Sequence, residues 1–320
     1  MTRTYTKPTG KPSWPITLIA GAEKTGKSYA AALAAASDLI GDTYWIGIGE
    51  DRPDEYGLIA DFNIVEHDGT YRDILAAITE VAAMPKRADG KQILLNVDSM
   101  TRLWDLIKDN KQAKANARAR RAATKYNRAA PDGDSPISMD LWNEAATEWN
   151  HIMTAIRAHQ GPSILTARLD TVTVMDDDGK PTKQKQEKVS AQKSLPFDVG
   201  AVIEMPARGE TYISGVRSVR LSLLERTRVP DFTMDLFWRK LGLHDTETSD
   251  RTHDMPVADV PDESTVEGAR DWAAEAGTLT TWTEVNRLIA AASVAKVDGE
   301  LLNDLRTMRD ALPRPDTASA

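Results

Sequence analysis

The sequence predicts an α/β protein built on a mostly parallel sheet covered by helices. Three observations predict it. Short apolar runs alternate with helical stretches from Ile16 to about Glu204. Two of these runs, Ile16-Thr17-Leu18-Ile19-Ala20 and Ile93-Leu94-Leu95-Asn96-Val97, have the mostly apolar character of buried strands. The first run ends in a Gly-rich segment that leads directly into an Ala-rich, helix-prone stretch.

The remaining elements follow in order. Ser28 to Ile40 reads as a helix with Gly41 as its C-terminal stop. Tyr44 to Ile48 reads as a second strand and Phe62 to Val65 as a short third. Tyr71 to Met84 reads as a helix, and the run from Ile93 as a strand ending at Asp98-Ser99. Met139 to His159 carries Trp142, Ala145, Trp149, Ile152 and Ile156 at helical spacing, which assigns both tryptophans to the core. Ser163 to Thr166, Val199 to Met205 and Tyr212 to Leu224 read as later strands. Two long segments, Lys108 to Asp134 and Leu169 to Ser194, interrupt the alternation and read as functional or disordered loops.

The expected domain plan is a flexible N-terminus at 1–14, a core at 15–243, an acidic linker at 244–264, a small helical domain at 265–313 and a tail at 314–320. The linker has Arg251 as its one Lys or Arg and contains Pro256 and Pro261. In the helical domain, Thr281-Trp282-Thr283-Glu284 has the form of a capping box, and Leu301, Leu302, Leu305, Met308 and Leu312 lie on one helix face.

With 320 residues the chain is long enough for one large core and a satellite. The absence of cysteine excludes disulfides, thiol nucleophiles and Cys-ligated zinc. The net charge of -8 argues against a surface uniformly coated for nucleic acid. No apolar run approaches the ~20 residues that span a bilayer, so no membrane contact is expected. Met1 to Trp14 lacks the apolar stretch of a secretory signal, which makes the cytoplasm the expected compartment. The five histidines, His67, His151, His159, His244 and His253, have no metal-ligand spacing.

The chemistry is concentrated at Gly21-Ala22-Glu23-Lys24-Thr25-Gly26-Lys27-Ser28, which meets the pattern G-x-x-x-x-G-K-[ST] between a strand and a helix. At Gly near 7% of residues, roughly 0.01 such matches are expected by chance in this length. In such a loop, glycines let backbone amides curl around a β-phosphate while the helix N-terminus points at it. Lys27 is expected on the β- and γ-phosphates and Ser28 on Mg²⁺, with ATP as the nucleotide. Asp98, at the end of an apolar strand, is the second expected metal residue. Glu50 ends the second strand and is the candidate to orient or deprotonate the attacking water, with adjacent Asp51 as competitor.

Chain order and spacing resemble the RecA-like recombinases, especially the small phage-type RecA-like ATPases grouped with single-strand annealing proteins. The resemblance covers roughly Ile16 to Phe237 and rests on the phosphate loop with Lys24 before Thr25, on Glu50, and on Asp98-Ser99 as a Walker B motif. It implies a RecA-like core with a small C-terminal helical segment, and a homo-oligomer, ring or filament, with ATP at subunit interfaces. It places Thr166 where the family senses the γ-phosphate, and Tyr29 follows the loop as a further nucleotide-side residue. It also places Arg226 and Arg228 on a late strand, from which they would reach a neighbour's ATP and stabilise the transferring phosphoryl group.

The two long segments fall where the family contacts DNA. The first carries, between Lys108 and Arg128, Lys108, Lys111, Lys114, Arg118, Arg120, Arg121, Lys125 and Arg128 against one acid, Asp109, with Tyr126 able to stack on a base. The second carries Lys180, Lys183, Lys185 and Lys188, offset by Asp176, Asp177 and Asp178. Single-stranded DNA is the expected partner, because such loops read backbone and stacking. The expected activity is a DNA-stimulated ATPase of recombination or annealing. Three other readings stay open: a RecA-like motor such as a helicase or packaging ATPase, a nucleotide-gated oligomeric interaction protein with a partner on the C-terminal helices, and, more weakly, a small-molecule kinase.

Overall fold

The structure is a computed structural model describing residues 5, 7–129, 131–176, 180–221, 225–251, 272–294 and 299–313. The chain divides into two compact units, residues 1–253 and 254–320.

The first unit is a nine-stranded sheet. Its strands are β1 (Ile16–Gly21), β2 (Ile40–Gly47), β3 (Asn63–Ile64), β4 (Gln92–Asp98), β5 (Ser163–Met175), β6 (Pro181–Ser190), β7 (Ala201–Ala207), β8 (Glu210–Val216) and β9 (Thr227–Arg228). The order is β3-β2-β4-β5-β1-β7-β8-β9, with β6 paired to β5 alone. From β3 to β7 every neighbour is parallel, while β6, β8 and β9 are antiparallel additions. The fold class is therefore α/β with a mostly parallel sheet.

Burial on both faces explains the mostly apolar runs. Ile16, Leu18, Ala20, Leu95 and Val97 face one core with α2 (Tyr71–Ala82), α3 (Met100–Lys125) and α4 (Met139–Ala158). Ile19 and Leu94 face the other, with α1 (Lys27–Ala35) and α6 (Met234–Lys240). In α2 the buried residues are Ile74, Ala77, Ile78 and Val81, at i, i+3, i+4 and i+7, and Thr70 caps the start by accepting from the Asp73 amide. A short helix, α5 (Leu195–Asp198), follows β6.

Several expectations are corrected. The first helix ends at Ala35, and Gly41 lies inside β2. Ser37 ends the helix locally: its Oγ accepts from the Leu39 amide and donates to Asp235. A Cβ at Gly41 would meet the Arg87 side chain at 2.2 Å, so a larger residue there would require the arginine to move. Of the two tryptophans assigned to the core, Trp149 is buried but Trp142 is exposed, because Leu141, one position away, carries the apolar stripe of α4. The segment from Lys108 is a helix, the continuation of α3 to Lys125. The segment from Leu169 is an antiparallel ribbon made by the outer part of β5 and by β6. Ser222 to Leu224, Asp177 and Asp178 lie outside the described residues.

The borders of the core are wider than 15–243. Trp14 is buried and meets Trp238 edge to face at 5.6 Å. Residues 244–251 pack on the same unit: Glu247 pairs with Lys11, Asp250 with Lys86, and the Ser249 amide donates to the Pro12 carbonyl. Arg251 donates to the carbonyls of Trp14, His159 and Gly161. The rest of the expected linker, 252–264, lies outside the described residues, as do 265–271, which hold the start of the expected helical domain, and the tail, 314–320.

The second unit contains α7 (Trp272–Thr278), α8 (Trp282–Val294) and α9 (Gly299–Asp310) around Ala276, Val285, Leu288, Ile289, Ala292 and Leu305. Thr281 and Glu284 bond reciprocally at the start of α8, as a capping box does. No helix among the described residues is long and apolar enough to cross a membrane.

Candidate nucleotide site

The loop after β1 is shaped by backbone need. A Cβ on Gly21 would lie 2.6 Å from Thr25 Oγ1 and 2.7 Å from the Met205 carbonyl, so only glycine fits. Lys24 and Gly26 take left-handed φ values of 56° and 106°, which turn the chain into α1. Thr25 Oγ1 and Lys27 Nζ both donate to the Ala22 carbonyl, at 3.0 and 2.8 Å. Glu23 and Lys24 are exposed and pair loosely with each other. Tyr29, half exposed on the first turn of α1, meets the Tyr56 ring edge to face.

Below the loop lies Asp98, buried at the carboxyl end of β4. The strand carrying it does not touch β1; β5 runs between them. Asp98 accepts from Thr166 Oγ1, which stands on β5 level with Ile19, and the Ser28 hydroxyl lies near the same carboxylate. Burial raises the Asp98 carboxyl above its ordinary value, while the two hydroxyl donors oppose the shift. Lys27 is held below its ordinary value by burial, opposed by the charges of Asp98 and Glu50. A hydroxyl and a carboxylate side by side at a helix N-terminus are hard oxygen donors, the set that suits Mg²⁺.

Glu50 follows a turn in which Gly49 has φ of 61°. Its Oε1 accepts from Ser99 Oγ at 3.0 Å and from Arg168 Nη2 at 2.8 Å. Asp51, the competitor, is exposed. The two residues that meet Glu50 lie outside the expected site set. Ser99 is legible only as part of the Asp-Ser wording, and Arg168 needs the register of β5 to be seen.

The structure brings Gly21, Lys27, Ser28, Asp98, Thr166 and Glu50 to the carboxyl ends of β1, β2, β4 and β5. Arg226 and Arg228 lie at the sheet edge, just before and on β9, and Arg226 reaches back to Glu204, level with Ala20 of β1. Arg226 is engaged within its own chain: it pairs with Glu204 and Glu187 and lies 3.9 Å over the Tyr212 ring. Arg228 is exposed.

The basic residues separate into four groups. Lys111, expected on DNA, is corrected: its side chain is 0% exposed and its ammonium is held by Glu148 at 2.6 Å and Glu144 at 3.3 Å. Lys114 and Arg118 are exposed but paired to Glu144 and Asp140 of α4. Arg120, Arg121 and Lys125 continue α3 in solvent, followed by Tyr126, 62% exposed with Lys125 and Arg128 over its ring. Lys183, Lys185 and Lys188 stand on the ribbon, where Lys183 to Lys188 are exposed on both faces.

No protein-family model and no curated protein matches the chain. Many solved structures are similar to part of this chain, two of them as follows. One is an ATPase from the type III secretion system of pathogenic bacteria, 16% identical over 61% of this chain and 51% of that one, with a TM-score of 0.36. The other is the RadB recombinase, 13% identical over 64% of this chain and 81% of that one, with a TM-score of 0.35. This chain thus spans about half the length of the secretion ATPase. At identities and TM-scores this low, the reading of the site rests on its own residues.

Proposed function

We propose that this chain is a RecA-like P-loop ATPase that binds single-stranded DNA and acts in recombination or strand annealing as a homo-oligomer. One observation carries the ATPase reading: a G-x-x-x-x-G-K-S turn between β1 and α1 sets Ser28 and Lys27 beside buried Asp98, with Glu50 alongside. Backbone amides from Ala22 to Gly26 would cradle the phosphates, and Lys27 would exchange the Ala22 carbonyl for phosphate oxygens. Ser28 and Asp98 would hold Mg²⁺, which when bound neutralises charge on the phosphates. Glu50 is the residue we assign to the attacking water, ahead of Asp51, because it alone of the two faces the Ser99 and Arg168 donors. Tyr29 and Thr166 would flank the nucleotide, and Glu23 and Lys24 form the exposed outer part of the loop.

The DNA half of the proposal is supported by two basic surfaces. They are the solvent-facing end of α3, with Arg120, Arg121 and Lys125, and the ribbon, with Lys183 and Lys185. Lys114 and Arg118 could join only by leaving their α4 acids. Of the two arginines proposed to act in a neighbour's site, Arg228 is the freer, since Arg226 would first have to leave two glutamates.

The test is ATP hydrolysis across protein concentration, with and without single-stranded DNA. Lys27→Ala should remove turnover by at least about a hundredfold. Single strands should stimulate the native protein in a salt-sensitive way. Hydrolysis untouched by Lys27→Ala would end the ATPase reading. Hydrolysis without any DNA binding at low salt would end the DNA half alone.

A further inference from the structure

Arg168 stands where β5 leaves the parallel sheet. Its Cα is level with Gly21 of the phosphate loop on one side and with Ser190 of the ribbon on the other. Its amide donates to Thr101 Oγ1 at 2.9 Å, which pins this point of β5 against the first turn of α3. From there the guanidinium crosses to Glu50.

Both donors to Glu50 converge on the same oxygen. Oε1 receives Arg168 Nη2 at 2.8 Å and Ser99 Oγ at 3.0 Å, and Oε2 has no hydrogen-bond partner among the described residues. The donors come from different strand ends, Ser99 after β4 and Arg168 on β5. The β2 end that carries Glu50 is itself tied to β4, since the Ile48 amide donates to the Asp98 carbonyl and the Ser99 amide to the Ile48 carbonyl. A free glutamate has three rotatable side-chain bonds and many rotamers. Two donors on one oxygen select an orientation in which the second oxygen is left to act. The Arg168–Glu50 pair is part-exposed on both sides, 42% and 30%, so its direct contribution to stability is small. Its geometry is the part with consequence.

We infer that Arg168 is a positioning residue for Glu50: with Ser99 it clamps Oε1, so that Oε2 is the atom presented to the reacting water. This rests on the nucleotide-hydrolysis reading above. It predicts that Arg168 acts through Glu50 and not on the nucleotide directly.

The experiment is a double-mutant cycle on the full chain, read by steady-state ATP hydrolysis, by binding of a fluorescent ATP analogue without Mg²⁺, and by thermal melting. Arg168→Ala should lower kcat roughly ten- to a hundredfold, the scale of a misplaced reacting group, and leave KM and analogue affinity unchanged. Arg168→Lys should recover part of the loss, since it keeps the charge but not the planar fork. In a Glu50→Gln background, Arg168→Ala should add no further loss. Ser99→Ala should lower kcat in the same direction and supplies the test if Arg168→Ala melts early. Unchanged or raised kcat, weakened analogue binding, or losses that multiply in the double variant would overturn the inference. If Lys27→Ala and Glu50→Gln also leave hydrolysis intact, the nucleotide-hydrolysis reading has failed, and the inference with it. If those two variants behave as expected and Arg168→Ala does not, the inference alone has failed.

Discussion

The two ends of the parallel sheet treat charge in opposite ways. At the amino ends of β1, β4 and β5, the Arg251 guanidinium is spent on three backbone carbonyls, those of Trp14, His159 and Gly161. His159, buried beside it, donates to the Ile93 carbonyl at 2.9 Å. Burial lowers Arg251 to about 10 and His159 to about 4, so at neutral pH the arginine is charged and the histidine is not. These polar groups close the structure. At the carboxyl ends, Lys27, Asp98, Glu50 and Arg168 lie within reach of one another, and Glu50 keeps an oxygen unused. Charge that completes backbone hydrogen bonding is architecture. Charge held close with capacity left over can meet a ligand.

The largest expected effect tests the closed end. Arg251→Ala strips a charged donor from three carbonyls and should cost roughly 3–5 kcal/mol in urea unfolding, with turnover per folded molecule unchanged. A cost near zero would mean that residues 244–251 are not an integral strap.

The next effect is in pH. His159 has an ordinary value of 6.5 and is lowered to about 4 in the fold by burial, with the Arg251 charge second. The unfolded chain therefore takes up this proton first as pH falls. The contribution to stability is fully present above about pH 6.5 and is lost as pH drops toward 4, amounting to about 3 kcal/mol. His159→Asn should flatten the unfolding midpoint across that window.

The smallest effect sharpens the contrast within the basic residues. Lys111→Ala leaves Glu148 without its buried partner and should cost roughly 2–3 kcal/mol, with no change in DNA affinity beyond that of unfolding. Replacing Lys183 and Lys185 together by Ala should leave stability alone. It should reduce the salt slope of single-strand binding by about 1.4, the loss of two phosphate contacts. If Lys111 variants that stay folded lose DNA binding selectively, the division between inward and outward cations is wrong.

The shape of the turn after β1 is legible because it is local: Gly21, Gly26, Lys27 and Ser28 are neighbours placed by one turn between a strand and a helix. Asp98 is legible for a similar reason, as the polar residue that ends an apolar strand. Arg168 is not, because its meeting with Glu50 spans 118 positions and depends on the register of β5 against β1. Lys111 misleads for the converse reason. A run of cations looks uniform in sequence, but a helix sorts it by period, and one face of α3 turns Lys111, Lys114 and Arg118 toward the acids of α4. The segment from Leu169 reads as a loop because its outer part, Lys183 to Lys188, is polar on both faces, yet backbone pairing between β5 and β6 needs no apolar face.

By itself, then, the sequence determined the α/β class, the buried strands, the Gly-rich turn after β1 and the polar strand ends, all set by short-range pattern and local backbone geometry. Tertiary structure alone decided which cations are free, which carboxylate oxygen is left open, and that residues 244–251 belong to the core. Each of those depends on groups brought together from distant parts of the chain, where burial and partner geometry, not residue type, set the outcome.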